Sequence, residues 1–345
     1  MSAPLQPQAA EQASRASASG RLLRIDAVPV AAAVSGGRLA TAWGDGCIRH
    51  FARQQAPDCM QVHDGAILAL AADDAGGLLS GGDDGVFART DAAGMQVLAH
   101  FPGQWVEHVA VSAEGGQACA VGRRVHLLDA AGGNQVLEHP SSVGGMAFDR
   151  SGRCLAVAHY GGLTLWTRDG PEWSAASLAC RGSHLGVIWS PDGRYVLSSM
   201  QEQAVHGWRV ADGMQLHIAG YPGKVRQWSW IEPMPWLASG GATAALLWPF
   251  DGKNGPLQRT PLALFQDDGQ SLVSALCTLP GRATVLAGKS DGSILMGEAT
   301  TPQQWHVLRH AGGTPLTLLA VLPEPHWLLA AHADGAVLWM PLLPP

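Results

Sequence analysis

Residues 327–341 read WLLAAHADGAVLWMP: an apolar run, a small polar turn at Ala333-Asp334-Gly335, and a second apolar run ending in Trp339. The same grammar recurs upstream, in RLATAWGDGCIRHF (38–51), GLLSGGDDGVFART (77–90) and QACAVGRRVHLLDA (117–130). It continues in CLAVAHYGGLTLWT (154–167), YVLSSMQEQAVHGWRV (195–210), WLASGGATAALLWPF (236–250) and TVLAGKSDGSILMGE (284–298). Apolar runs this short, split by Gly and Asp, are strand–turn–strand units. With the residue near the end of each unit as a register mark, the column is His50, Arg89, Leu128, Trp166, Trp208, Trp248, Met296 and Trp339, with successive spacings of 39, 39, 38, 42, 40, 48 and 43. No long segment of 3.6-residue periodicity competes with this reading.

A period near 40 residues is that of a β-propeller blade. A further strand precedes each unit, as in AILALAAD (66–73), VEHVAVSA (106–113) and LGVIWSPDGR (185–194), and a weaker one follows, as in MQVLAH (95–100) and NQVLEH (134–139). Four strands per repeat, eight times over, predict an all-β, closed propeller of eight four-stranded blades. The last unit lacks an outer strand, and RLLRIDA (21–27) is a spare one, so the N-terminal strand is expected to complete the last blade and close the ring. A seven-bladed ring would require one unit to be something else, and 117–130 is the poorest match. The expected layout is a disordered tail over 1–20, a propeller over 21–341 and a C-terminal tail over 342–345.

Composition narrows the functional classes. The chain has 345 residues, 47% hydrophobic and 14% charged, with 43 Gly and 13 Trp, enough apolar material for an extensive core. A formal net charge of −6 with no dense Lys/Arg run argues against a broad nucleic-acid surface. The first twenty residues lack the apolar stretch of a secretory signal, and no run is long and apolar enough to span a bilayer, so the expected address is the cytoplasm and no membrane partner is expected. The six cysteines (Cys47, Cys59, Cys119, Cys154, Cys180 and Cys277) form no C-x-x-C pair and read mostly as small core residues in a reducing compartment. No zinc-type His spacing, phosphate loop or G-x-S-x-G elbow is present, so no catalytic, metal or cofactor residues are assigned.

The texture resembles the WD40-repeat propellers, in degenerate form, over about residues 21–341. His63, His100, His139 and His310 stand where that family carries its His; Ser80, Ser198 and Ser239 where it carries Ser or Thr; Asp45, Asp84, Asp291 and Asp334 at its tight turn; and Trp166, Trp208, Trp248 and Trp339 at its Trp. The resemblance implies a buried Asp–His–Ser–Trp hydrogen-bond network in each blade. No unit carries the whole set, and strict Trp-Asp dipeptides are absent. A buried ring N–H needs an acceptor whatever the family, so these histidines read as structural.

In the family, the end of the ring around the channel mouth includes the turns between second and third strands and the connections from one blade to the next. The position three before each turn glycine, or its equivalent, holds Trp43, His159, Gln201, Lys289 and His332, with Tyr160 beside His159. Trp105 stands in a connecting segment, and Arg123 and Arg124 replace a turn glycine. These nine residues form the candidate partner-binding rim. Trp228 and Trp230 read as core, and the insertion 251–269 as a place for either specificity or harmless variation. The leading expectation is a non-enzymatic scaffold or adaptor that binds one or more proteins. The alternatives are an enzyme or small-ligand binder using the central channel mouth, and an accessory subunit of a nucleic-acid-acting enzyme. The last would require Arg181, Arg194, Arg209, Lys224 and Arg226 to gather on one surface.

Overall fold

The computed structural model describes residues 20–129, 133–170 and 172–342, and these form antiparallel sheets of the β-propeller kind. The expected tails therefore lie outside the described residues, apart from Gly20 and Leu342. Within each repeat the strands differ in burial as their sequences require. The second strand is mostly apolar and is buried on both faces, as in Tyr195–Met200, Thr284–Lys289 and Trp327–His332. The outermost strand is mixed and largely exposed, as in Asn134–Glu138.

Among the described residues the strands form seven hydrogen-bonded sheets, six of four strands and one of six, which corrects the expectation of eight four-stranded blades. The first sheet comprises Pro29–Ser35, Arg38–Trp43, Cys47–Phe51 and Asp58–Gln61. The second runs from Ile67–Ala72 to Gly94–His100 and the third from His108–Val111 to Asn134–Glu138. The unit that matched the repeat least well, 117–130, makes ordinary antiparallel strands in the third sheet.

The departure lies instead at the fourth and fifth repeats, which share the six-stranded sheet from Gly145–Phe148 to Gln215–Ile218. Two long strands cause it, Cys154–Asp169 and Glu172–Trp189. Where other repeats break at a tight turn, Tyr160-Gly161-Gly162 passes through as a register shift, with φ of +96° at Gly161 and +141° at Gly162. The chain stays extended through Cys180–Ser183 as well, so His184–Trp189 continues directly into pairing with Val196–Met200.

The remaining sheets run from Trp228–Ile231 to Leu262–Leu264, from Val273–Thr278 to Trp305–Arg309, and from Leu316–Leu322 to Ala336–Pro341. Arg21–Arg24 pairs antiparallel with Ala336–Trp339 as the outer strand of the seventh sheet. An Ile25 N–H to Gly335 carbonyl bond of 2.9 Å and an Arg24–Asp334 ion pair of 3.3 Å support it. The chain divides into two compact units, Val30–Lys224 and the remainder, and both partners of this pairing belong to the second. The pairing thus completes one sheet. It is not a closure between units, and the expected ring closure is set aside.

Each unit is held by apolar side chains between neighbouring sheets. In Val30–Lys224, Ala40, Ile48, Ile67 and Leu78 join the first sheet to the second, and Val125, Leu137, Met146 and Leu155 join the third to the fourth. In the other unit, Leu286, Ile294, Leu316 and Leu328 join the last two sheets. Full burial of one such side chain stabilises by about 1.5–3 kcal/mol. These layers hold the strand ends, and hence the turns, in fixed positions.

Candidate interaction site

Within Val30–Lys224 the turns between second and third strands, and the segments connecting one repeat to the next, lie at one end of the sheets and are stitched in a row. The Val106 N–H donates to the Gly82 carbonyl at 3.0 Å and that of Glu107 to Ala120 at 3.1 Å. The N–H of His139 donates to Arg123 at 3.0 Å, and that of Val143 to Gly122 at 2.8 Å. The Tyr160 N–H donates to Ser141 Oγ at 2.9 Å, and that of Gln201 to the Ser183 carbonyl at 2.9 Å. This backbone ladder places Trp105, Arg123, Arg124, Tyr160 and Gln201 along one rim.

Trp105 and Tyr160 are each 59% exposed, although large aromatics gain most from burial. Arg123 and Arg124 are also exposed and share Glu138, at 3.0 and 2.8 Å. The Arg124 hydrogen bond holds the Glu138 carboxyl below its usual value. Two guanidiniums on one carboxylate leave a surplus positive charge at this turn. Gln201 is exposed in its turn.

The other four candidates are core residues. Trp43 is buried; its Nε1 donates to Thr41 Oγ1 at 2.8 Å, and the Arg49 guanidinium stacks 5.5 Å from its ring centre. His159 is buried with Nδ1 on the Tyr160 carbonyl and Nε2 on Thr164 Oγ1, both at 2.9 Å. His332 is buried with Nδ1 on the Thr314 carbonyl at 2.9 Å and Nε2 facing Arg309 at 3.3 Å. Lys289 is buried with its ammonium on Asp267 Oδ2 at 2.6 Å.

The shared cause is visible at Gly82, where an added Cβ would lie 2.4 Å from the His63 ring. The segment linking repeats folds over this strand end and covers whatever stands there. Counted from Ser80, the equivalent of Gly82 in the next-but-two repeat is Met200, counted from Ser198, and Met200 is buried. Gln201 lies one residue further into a longer turn, which is why it alone of that column is exposed.

The histidine column is half realised. His63 donates from Nδ1 to Asp84 at 3.0 Å and accepts at Nε2 from Ser80 Oγ at 2.8 Å. Burial works against the ionised Asp84, but hydrogen bonds from His63 and the Val86 and Asp64 N–H groups hold its carboxyl below the usual range. His139 accepts the Trp166 indole N–H at 2.9 Å. His100 and His310 are exposed and join no such network. An unforeseen member is His184, whose Nδ1 meets Ser198 Oγ and whose Nε2 meets the Cys180 carbonyl at 3.0 Å.

The basic residues that a nucleic-acid surface would need do not gather within Val30–Lys224. Arg181 lies at the rim end, whereas Arg194 and Arg209 lie at the opposite end, each on its own carboxylate, Asp192 and Asp212. Among the described residues, no group of three or more His, Cys, Asp or Glu side chains is placed to hold a metal ion. Among them no helix is long and apolar enough to cross a membrane. The cysteines are free; Cys47 and Cys119 are buried and Cys59 is exposed.

No protein-family model matches the chain, and no curated protein matches it. Among solved structures it is similar to a computationally designed protein, Ika8, with a TM-score of 0.72 and 18% identity over 92% of this chain and 98% of that one. At that identity the likeness is one of fold alone, in accord with the propeller sheets.

Proposed function

We propose that this propeller is a non-enzymatic scaffold or adaptor that docks a protein on the rim of Val30–Lys224. The observation that carries the reading is the pair Trp105 and Tyr160, two rigid aromatics left 59% exposed on one backbone-stitched rim that also carries Arg123 and Arg124. Tryptophan, tyrosine and arginine are the residues that most often anchor interfaces.

The test is quantitative capture of partners by the tagged full chain, with Trp105→Ala/Tyr160→Ala alongside. Because both side chains are exposed, the variant is expected to fold with unchanged stability and to lose a stoichiometric protein partner. A partner retained at full strength by a folded variant would move the site off this rim. A chain that retains no stoichiometric protein would overturn the scaffold reading.

A further inference from the structure

The first two sheets enclose a cavity of about 320 Å³ at the end opposite the rim. It opens between the turns at Gly36, Gly76 and Ala92. Two residues of its wall, Thr90 and His50, each carry a side-chain atom, Oγ1 and Nδ1, that is buried with no hydrogen-bond partner among the described residues. Thr90 as a whole is only 3% exposed. A buried hydroxyl or imidazole nitrogen left unmatched costs about 1–3 kcal/mol, so two in one wall call for something that bonds to them. The space far exceeds the ~30 Å³ share of a single water.

We infer that this cavity binds a small uncharged molecule with an apolar body and a hydroxyl or amide head, the head meeting Thr90 and His50. The head group follows from the wall. Threonine both donates and accepts, and a neutral imidazole does the same through its two nitrogens. Burial, reinforced by the Arg38 charge, holds His50 toward that neutral form. The apolar body follows from Leu78 and Met60, which line the same space. The absence of charge follows from the ion pairs. Arg38 is committed to Asp58, and Asp91 to Arg89, which leaves the described lining no unpaired cation for an anion and no unpaired carboxylate for an amine. The inference goes beyond the scaffold reading and is independent of it, since it concerns the other end of the sheets.

The test uses two probes that share one body, benzyl alcohol and benzoate, on the full chain. Cys59 is exposed and lines the mouth, so its alkylation by iodoacetamide, read on the Cys59 peptide by mass spectrometry, reports occupancy. Benzyl alcohol is expected to slow that reaction at a concentration ~10-fold below any effect of benzoate, the scale on which a site built for a hydroxyl discriminates. Thr90→Val removes the hydroxyl at constant shape, and Ala92→Trp fills the mouth from an exposed lining position, leaving Thr90 and His50 unchanged. Each should abolish the protection. Equal protection by both probes, protection by neither, or protection that survives either variant in folded protein would overturn the inference.

Discussion

The ammonium of Lys289 and the carboxylate of Asp267 meet at 2.6 Å, with the lysine side chain only 2% exposed and the aspartate 36% exposed. The lysine ends a fully buried strand, while the aspartate belongs to the long insertion after Phe250. A piece of chain that reads as variable surface thus neutralises a charge inside the sheets. Phe265, two residues before Asp267, is itself buried and lies edge-on to Trp305 at 6.2 Å. The insertion is therefore partly core.

This geometry fixes the sign of a double-mutant cycle. Asp267→Asn keeps the shape but strands a buried ammonium, and a loss of about 3 kcal/mol of unfolding free energy is expected. Lys289→Met fills the same space without charge and should cost far less, or stabilise. In Lys289→Met, Asp267→Asn should then be nearly neutral. Denaturant unfolding followed by tryptophan fluorescence reads all four corners of the cycle. Equal costs for Asp267→Asn in both backgrounds would show that the pair is not coupled.

The fold was legible because its signal is repeated and local. A double-sided apolar strand beside a Gly-Asp turn identifies itself at Leu78–Gly82 as well as at Trp327–His332. What escaped is non-local. Nothing in CLAVAHYGGLTLWT announces that Gly161 and Gly162 carry the strand onward instead of turning it back, so the merger of two repeats into one sheet was missed. The rim was legible only in part for a related reason. Trp43 and His332 are polar or aromatic at a strand end, as a rim residue would be, but His332 is tied to Thr314 and the turn after Trp43 to Val62 and His63, in segments well away along the chain. Trp105 stands in a connecting segment itself, and Tyr160 is met by Ser141 at its backbone N–H while its ring stays exposed. The cavity wall pairs His50 with Thr90, forty residues apart, and no spacing rule connects them.

Acid should weaken the protein in a window set by His206. This residue is 5% exposed and packed among the rings of His184, Trp208 and His217. Burial, with the neighbouring His184 and His217, depresses its pKa from 6.5 to about 4. The folded state then holds fewer protons than the unfolded state between those values, so stability rises with pH across the window and is lost as pH falls from 6.5 toward 4. The carboxylates held low, such as Asp84 and Asp212, act below that range. His206→Phe should flatten the dependence of unfolding free energy on pH between 4 and 6.5 by close to one proton. A slope unchanged by the substitution would remove His206 as its source.

Glycine substitutions separate turns that are merely tight from turns that are also enclosed. Gly85 has φ of +79°, and an added Cβ would lie 2.2 Å from the Phe101 carbonyl oxygen. Gly36 has φ of +56° with nothing within 4 Å of the same position. Both pay the left-handed penalty for a Cβ, about 1–2 kcal/mol. Only Gly85 must also displace a backbone carbonyl, the one in the segment that carries Trp105. Gly36→Ala is therefore expected to cost about 1 kcal/mol and to leave partner capture unchanged. Gly85→Ala should cost at least twice as much, and in the surviving folded fraction it should weaken capture by shifting residues 101–105. If the two variants proved equally stable, the connecting segment would yield freely to the turn, and the rim would lack the rigidity that makes Trp105 an anchor.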